Sequence, residues 1–573
     1  MHSERRSGFM IFFAYVLTAL VVTWPLVLYF NSAITGQPGD NFAFLWNHWQ
    51  VAQSLFNFSD PYQADAIAWP LLPSLVFHTV TLLPALISSL LQIFLPLVVS
   101  FNTVFIAGLS LGAFVMYRFV RYLGASLLVS FLGGLIFAFS PVLVHSAAIG
   151  HFNYASAFVL PLYALFFFKT LETPSVRSGC ITGLCAAAAL YTDSYYAVGL
   201  IFLTIFVLIW RFFSDRPRLL ATWRALLALV IVAVIAALPL LIKVMSVEAV
   251  PIPSLGAVEL YSPDIRSLFV PLSDHGVFGN WVASYYKGLG YHASPLYLTF
   301  TLLLLAVVGF VFMRKHRLNF RHFGRVFWLG LALCFLVISL GPALYLFGRP
   351  WFLLPFVWLH YLPVVNNILV TPHFIIFVIF ALTILAVPAL ERIVKLASTR
   401  LLKGAIVLLI IGIYLFEGFS LPLMLSSTRI PELYAELGRD ERQYAVLELP
   451  FALSTSFYTI GQGNAQTQYY QTLHHKRLLS ASISRVPDRY PRFYTAVAGL
   501  DYLIFPNTSL TPEATKALAP IARANFEKLG IRYVIIRPDG YSHEQFGNTL
   551  AFLEAVYGRK AQRRDGLLVY DLR

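Results

Sequence analysis

Gly39-Asp40-Asn41-Phe42-Ala43-Phe44-Leu45-Trp46-Asn47-His48-Trp49 stands just beyond an apolar stretch, Phe9 to Phe30, long enough to cross about 30 Å of hydrocarbon. Phe42, Leu45, Trp46 and Trp49 recur at helical spacing, which predicts a helix lying in the membrane interface on one apolar face. From Ser7 through Tyr117 there is no Lys or Arg, and the carboxylates in that stretch are Asp40, Asp60 and Asp65, all in one loop. Acids kept beside a membrane, with aromatics and His48 between them, sit where partial burial can raise a carboxylate toward a working base. Asp40 after Pro38-Gly39 reads equally as the N-cap of the helix. Asp60 before Pro61 reads as a turn residue, and Asp65 stays open between the two roles.

The rest of the chain agrees with a membrane setting. Of 573 residues, 58% are hydrophobic and 12% charged, against about 25% charged in a soluble domain. The net charge of +14 does not signal nucleic acid, because the cations fall in short loops between apolar runs, as orientation in a bilayer requires. Cys180, Cys185 and Cys334 lie inside apolar runs and predict neither a disulfide framework nor a cysteine metal site.

Eleven spans are expected, near 9–30, 98–120, 125–144, 154–170, 178–192, 195–212, 225–245, 294–313, 326–346, 370–390 and 403–423. No A-x-A site follows the first, so it reads as an anchor. Ser74 to Leu97 is read as an interfacial or re-entrant helix, since counting it as a span would move Arg118 and Arg121 to the outside. The basic clusters Arg5/Arg6, Arg118/Arg121, Lys169/Arg177, Arg211 to Arg224, Arg314 to Arg325 and Arg392 to Lys403 then all lie inside. The N-terminus is cytoplasmic, and the segments 31–73, 246–293 and 348–367 share the outer side with the tail. Polarity on that side is expected in these loops, so chemistry is sought there. Residues 425–573 read as a small α/β domain, with strands at Ala445 to Leu449, Tyr533 to Ile536 and Gly566 to Asp571 and helices at Pro512 to Leu529 and Phe546 to Tyr557. The expected fold class is an all-α polytopic membrane domain, 1–424, followed by an extracytoplasmic α/β domain, 425–573.

A first span, an outer loop with Gly39-Asp40, an aromatic helix and a juxtamembrane helix before the next span together resemble the GT-C superfamily of membrane glycosyltransferases. Further matches are Asp60-Pro61-Tyr62, Trp69-Pro70, Phe137-Ala138-Phe139-Ser140-Pro141, Gly150-His151-Phe152-Asn153, Pro161-Leu162, Tyr261-Ser262-Pro263-Asp264, Leu296-Tyr297-Leu298 and Glu417, an ordered set similar to bacterial members with an extracytoplasmic C-terminal domain. The resemblance implies a polyprenyl-phosphate-linked sugar donor, a lipid, glycan or protein acceptor, a bacterial inner membrane, and Asp40 as the acid that activates the acceptor. A second acid could be Asp65, Asp60 or Asp264. Where many relatives carry an Arg-x-Pro-x-Arg stretch before a late span, this chain reads Val370-Thr371-Pro372-His373-Phe374.

Transfer of this kind needs a base, a cradle for the leaving phosphate and room for a lipid tail. Candidates for the cradle are Arg266 and Lys287 in the second long outer loop, with Asp264, His78, His151, Asn153 and His373. Arg266 reads equally as a turn partner of Asp264, and Lys287 as a solvated side chain. The bias of histidines toward the outer half raises a divalent metal held by Asp40 and one or two His as a possibility; interfacial hydrogen bonding is the plainer reading. Asp193 reads as a helix cap, and Glu417 as a costly charge in the last span or a partner for an outer cation. Tyr469-Tyr470, His474 to Arg477 and Arg485 to Arg489 read as a basic, aromatic patch, for a glycan, for anionic lipid, or for docking. No phosphate-binding GxxxxGK[ST] loop or dinucleotide GxGxxG occurs. Transport (a flippase) is an alternative to glycosyl transfer, disfavoured by the lack of repeats and of charges inside most spans, and a non-catalytic scaffold of envelope assembly is another, kept open by the missing Arg motif.

Overall fold

The computed structural model describes residues 2–289, 292, 294, 296–313, 323–418, 420–463 and 465–572, with the side chains of 2–7 excepted. The basic run from Arg314 through His322 and the side chains of Arg5 and Arg6 lie outside the described residues. The chain is mostly helical and divides into two compact units. One comprises residues 1–30, 102–239 and 252–425; the other comprises 31–101, 240–251 and 426–573.

The first unit holds most of the apolar helices. Among the described residues, five helices of the chain are long and apolar enough to cross a membrane: Leu97–Tyr122, Phe152–Glu172, Ser194–Ser214, Trp223–Ser246 and Thr371–Leu396. Leu127–Ala138 and Pro141–Ala148, bent by 43°, make a sixth if taken as one span. The eleven expected from hydropathy are more than this, for physical reasons. Gly8–Val22, Phe300–Phe312 and Arg325–Ser339 are apolar but short, Val176–Thr192 has 17 residues, and Arg400–Glu417 carries Arg400, Lys403 and Glu417.

The helix Ile375–Leu396 is the unit's core, packed by Phe300–Phe312, Arg325–Ser339 and Leu127–Ala138. Gly309 permits the first of these contacts, since a Cβ there would stand 1.8 Å from the Leu385 carbonyl oxygen. Gly179 and Gly183, four residues apart, likewise bring Val176–Thr192 against the backbone of Ala225 and Leu229, the small-residue spacing by which membrane helices approach closely. Glu417 is not a midspan charge: its carboxylate accepts the N–H groups of Phe300 (2.9 Å) and Thr301 (3.1 Å) and so caps the helix Phe300–Phe312.

In the second unit a five-stranded sheet runs, in spatial order, Gln562–Arg564, Leu567–Asp571, Ile531–Ile536, Ala445–Leu449, Arg477–Leu478. The last three are parallel, and Leu567–Asp571 runs antiparallel to Ile531–Ile536. Helices Pro512–Lys528 and His543–Tyr557 pack on each other. The first-loop segment is built into this unit: Leu478 N–H donates to the Ala66 carbonyl (2.8 Å), Trp69 N–H to that of Leu478 (2.9 Å), and the Arg477 guanidinium lies 3.9 Å over the Trp69 ring. Asp60 pairs with Lys243 at 2.5 Å while accepting the Tyr62 N–H, so it is both a turn residue and an ion-pair partner.

The helix Asp40–Phe56 departs from its expected form. Every residue from Asn41 through Trp49 is buried, so it is a core helix and does not lie in an interface on one face. Leu82–Leu91 and Gln466–His474 pack against it, and Trp46 Nε1 donates to Gln471 Oε1 at 2.8 Å. The expected interfacial segment Ser74 to Leu97 contains one helix, Leu82–Leu91, of 10 residues, about 15 Å long and half a bilayer core.

Glu448, on the strand Ala445–Leu449, is 1% exposed. Burial lifts its carboxyl from 4.5 to about 7, against the pull of Arg537 and the Tyr434 hydroxyl. A folded-state value above the unfolded one means that protonation stabilises the fold. Stability therefore falls as pH rises from about 4.5 to about 7 and is flat above. Glu448→Gln removes this loss, so thermal melts of the full chain at pH 8 should show the variant more stable by about 3 kcal/mol, with no gain at pH 4. Parallel pH profiles for the two proteins would refute the assignment.

Candidate functional site

Gly39, not Asp40, occupies the N-cap of the first-loop helix. The Asn41 side chain does the capping work, its Oδ1 accepting the N–H groups of Gly39 (3.0 Å) and Phe42 (2.9 Å). Asp40 is the first helical residue, and its side chain is exposed. Asp60 and Asp65 are exposed too. The partial burial expected of these acids is not seen, since all three residues are exposed.

His78 lies within the field of Asp40. Burial pushes its imidazole down to about 4, while the Asp40 charge pulls the other way. Its Nδ1 accepts the Ser484 N–H (3.0 Å) and its Nε2 meets Asn47 Oδ1 at 3.1 Å. The first bond fixes the proton on Nε2. His78 is thus a neutral, oriented group near Asp40, tied to the C-terminal segment through Ser484.

In the first unit, three of the expected residues come together. The helices Phe152–Glu172, Ser194–Ser214 and Thr371–Leu396 all begin around a small cavity lined by Asn153, Tyr154, Asp193, Tyr195, Tyr196 and His373. It measures about 10 Å³, the lower limit for one water. The His373 ring packs edge-on to Tyr195 (4.4 Å between centroids) and Tyr154 (5.0 Å), with His151 at 6.4 Å. Its buried Nδ1 has no hydrogen-bond partner among the described residues.

Asp193 caps its helix as the sequence suggested, accepting the Tyr195 N–H at 2.8 Å. It is also 6% exposed and accepts from Asn153 Nδ2 at 2.5 Å. Burial raises it from 3.8 to about 6, and those two hydrogen bonds oppose the rise. Sequence reading missed this second role because Asn153 lies forty residues away. The signal available was Asn153 itself, a polar residue opening an apolar run.

The remaining candidates stand elsewhere. Asp264 is fully buried and gripped by Arg266, Nε to Oδ1 at 2.9 Å and the second guanidinium nitrogen to Oδ2 at 3.1 Å, with the Gly348 N–H at 2.7 Å. Despite burial these bonds hold Asp264 below its usual range. Arg266 also stacks over Phe347 (4.1 Å) and Tyr285 (4.9 Å). The two residues thus form a clamp, the turn partnership that was one of the readings offered for Arg266. Lys287 ends the helix Gly279–Lys287 and is exposed. Among the described residues no three His, Cys, Asp or Glu side chains form a metal-holding group.

No family model matches this sequence, and no curated protein is similar to it. Solved structures are. The arabinofuranosyltransferase AftD from Mycobacteria matches over 99% of this chain with a TM-score of 0.59 at 14% identity; the chain spans 40% of that protein's length. ArnT from Cupriavidus metallidurans, bound to undecaprenyl phosphate, matches over 97% of both chains with a TM-score of 0.50 at 14% identity. The protein is an integral membrane protein with the fold of the GT-C glycosyltransferases.

Proposed function

We propose that the chain moves a sugar from a polyprenyl-phosphate-linked donor to an extracytoplasmic lipid, glycan or protein acceptor, with Asp40 as general base, in a bacterial inner membrane. The observation that carries the reading is the exposed Asp40 at the head of a helix buried at every residue from Asn41 through Trp49, in a chain of GT-C fold along nearly its whole length. A buried helix holds its first residue in a fixed place, and residue 40 is exposed, so an acceptor can approach it from solvent. In the step, the acceptor oxygen bonds to the anomeric carbon as the bond from that carbon to the phosphate oxygen breaks. Asp40 takes the hydroxyl proton, polyprenyl phosphate leaves, and configuration inverts.

His151, Asn153 and His373 are the groups proposed to receive the donor phosphate. The cavity that Asn153 and His373 line, with His151 beside the His373 ring, admits one oxygen rather than a sugar ring. The unpaired His373 Nδ1 is a ready partner for it. The test is saturable binding of polyprenyl phosphate to the reconstituted protein. His373→Ala is expected to weaken it about tenfold, the size of one hydrogen bond to a charged group. Equal affinities for wild type and variant would remove His373 from the donor site. One observation favours a second reading, a non-catalytic scaffold of the same fold: Arg266, the loop cation expected at the phosphate, is committed to Asp264.

A further inference from the structure

The third outer segment is not the polar loop its position suggests. The strands Ala343–Leu346 and Arg349–Leu353 form an antiparallel hairpin with Leu344 opposite Phe352, in a sheet of two strands. Every residue of Arg349–Leu353 is exposed. Trp351 is 65% exposed, Phe352 56% and Leu353 67%; beyond the hairpin, Trp358 is 70% and Tyr361 72% exposed. Between Gly341 and Thr371, Arg349 is the single residue of the Asp/Glu/Lys/Arg set. An apolar surface of this density marks an interaction site.

Three observations select the bilayer as its occupant. The segment is continuous at both ends with apolar helices, Arg325–Ser339 and the span Thr371–Leu396. The first of these has 15 residues, about 22 Å, and falls short of a hydrocarbon core of about 30 Å, so the chain beyond Ser339 is still at membrane depth. Exposed Trp and Tyr with one Arg make up the composition of the membrane–water boundary. A two-stranded hairpin has open backbone edges, which hydrocarbon does not tolerate and the headgroup region does.

We propose that the hairpin and the turn of helix after it, Phe356–Leu359, insert Trp351, Phe352, Trp358 and Tyr361 into the headgroup–acyl boundary as a lipid anchor. The anchor fixes the height of this outer segment relative to the bilayer, and it stands independently of the proposed activity.

The test uses the full chain in vesicles. Tryptophan emission is recorded with lipids brominated near the carbonyls, for wild type and for the double substitution Trp351→Phe and Trp358→Phe, which keeps apolar size. The emission removed by the substitution should lose most of its intensity to shallow bromines and less to bromines at the chain ends. Independently, nitroxides at Phe352→Cys and Tyr361→Cys, in a chain with Cys180, Cys185 and Cys334 replaced, should be reached by oxygen and shielded from a water-soluble nickel chelate. A control label at Lys560→Cys should show the reverse. Nickel access at both hairpin positions would show a loop in water and overturn the proposal. Shielding from nickel and oxygen alike would show cover by protein, a partner or a second copy, and would overturn it as well.

Discussion

Asp40→Asn is expected to lower sugar transfer by about 10²- to 10⁴-fold, the usual contribution of a general base, while the protein stays folded. The side chain is exposed, and the cap of its helix is Gly39 with Asn41. The charge lost at the helix terminus is worth at most about 1 kcal/mol. The amide retains the shape and can accept a hydrogen bond, but it cannot take the proton. Asp65→Asn, exposed in the same loop, should leave the rate within a few-fold of wild type. Measured at matched protein level with a melting curve for each variant, a large rate loss confined to position 40 supports the assignment. Transfer that survives Asp40→Asn, or falls only for Asp65→Asn, moves the base elsewhere in the loop.

Arg266→Met is the substitution expected to cost the most stability, about 3 kcal/mol. The Asp264 carboxylate has no exposure, and removing one partner of a buried pair leaves an uncompensated charge. The backbone N–H groups at Gly348 and at position 266 remain and limit the loss. The sign of the pH dependence follows. With Arg266 present, Asp264 is held below its ordinary value, so its contribution is present above about pH 4 and is lost as pH falls further. Without Arg266, burial dominates and the carboxyl value rises, so the variant should gain stability relative to wild type as pH falls from 7 to 5. Adding Asp264→Asn should recover most of the loss. A thermal melt of Arg266→Met within about 1 kcal/mol of wild type would show that the clamp carries little.

Much of the tail was legible because its strands are short apolar runs bounded by turns: Ala445–Leu449 lies where the pattern put it, and Ile531–Ile536 begins two residues before the expected Tyr533. The Asp40 helix was legible in position but not in burial. Asn47 and His48 look like a polar face in sequence. In the fold Asn47 Nδ2 donates to the Thr79 carbonyl (3.1 Å), and the His48 carbonyl accepts from Gln92 (3.1 Å), partners more than thirty residues away. Five of the eleven expected spans are not confirmed, because a hydropathy window does not register where a helix ends: Gly8–Val22, Val176–Thr192, Phe300–Phe312 and Arg325–Ser339 are short, and Arg400–Glu417 carries three charged residues. Glu417 and Asp193 are long-range cases as well, their partners lying 117 and 40 residues away. The Asp264–Arg266 clamp was readable locally, two residues apart, and was among the readings offered for it.

The central claim is sugar transfer, and the direct measurement is radiolabelled sugar moving from polyprenyl-phosphate donors to acceptors in membrane extract, catalysed by the purified, reconstituted chain. The account predicts labelled acceptor and stoichiometric free polyprenyl phosphate, both formed about 10²- to 10⁴-fold more slowly with Asp40→Asn. No labelled acceptor with any donor, from a folded wild-type protein that moves the lipid across the bilayer or does nothing, would contradict it.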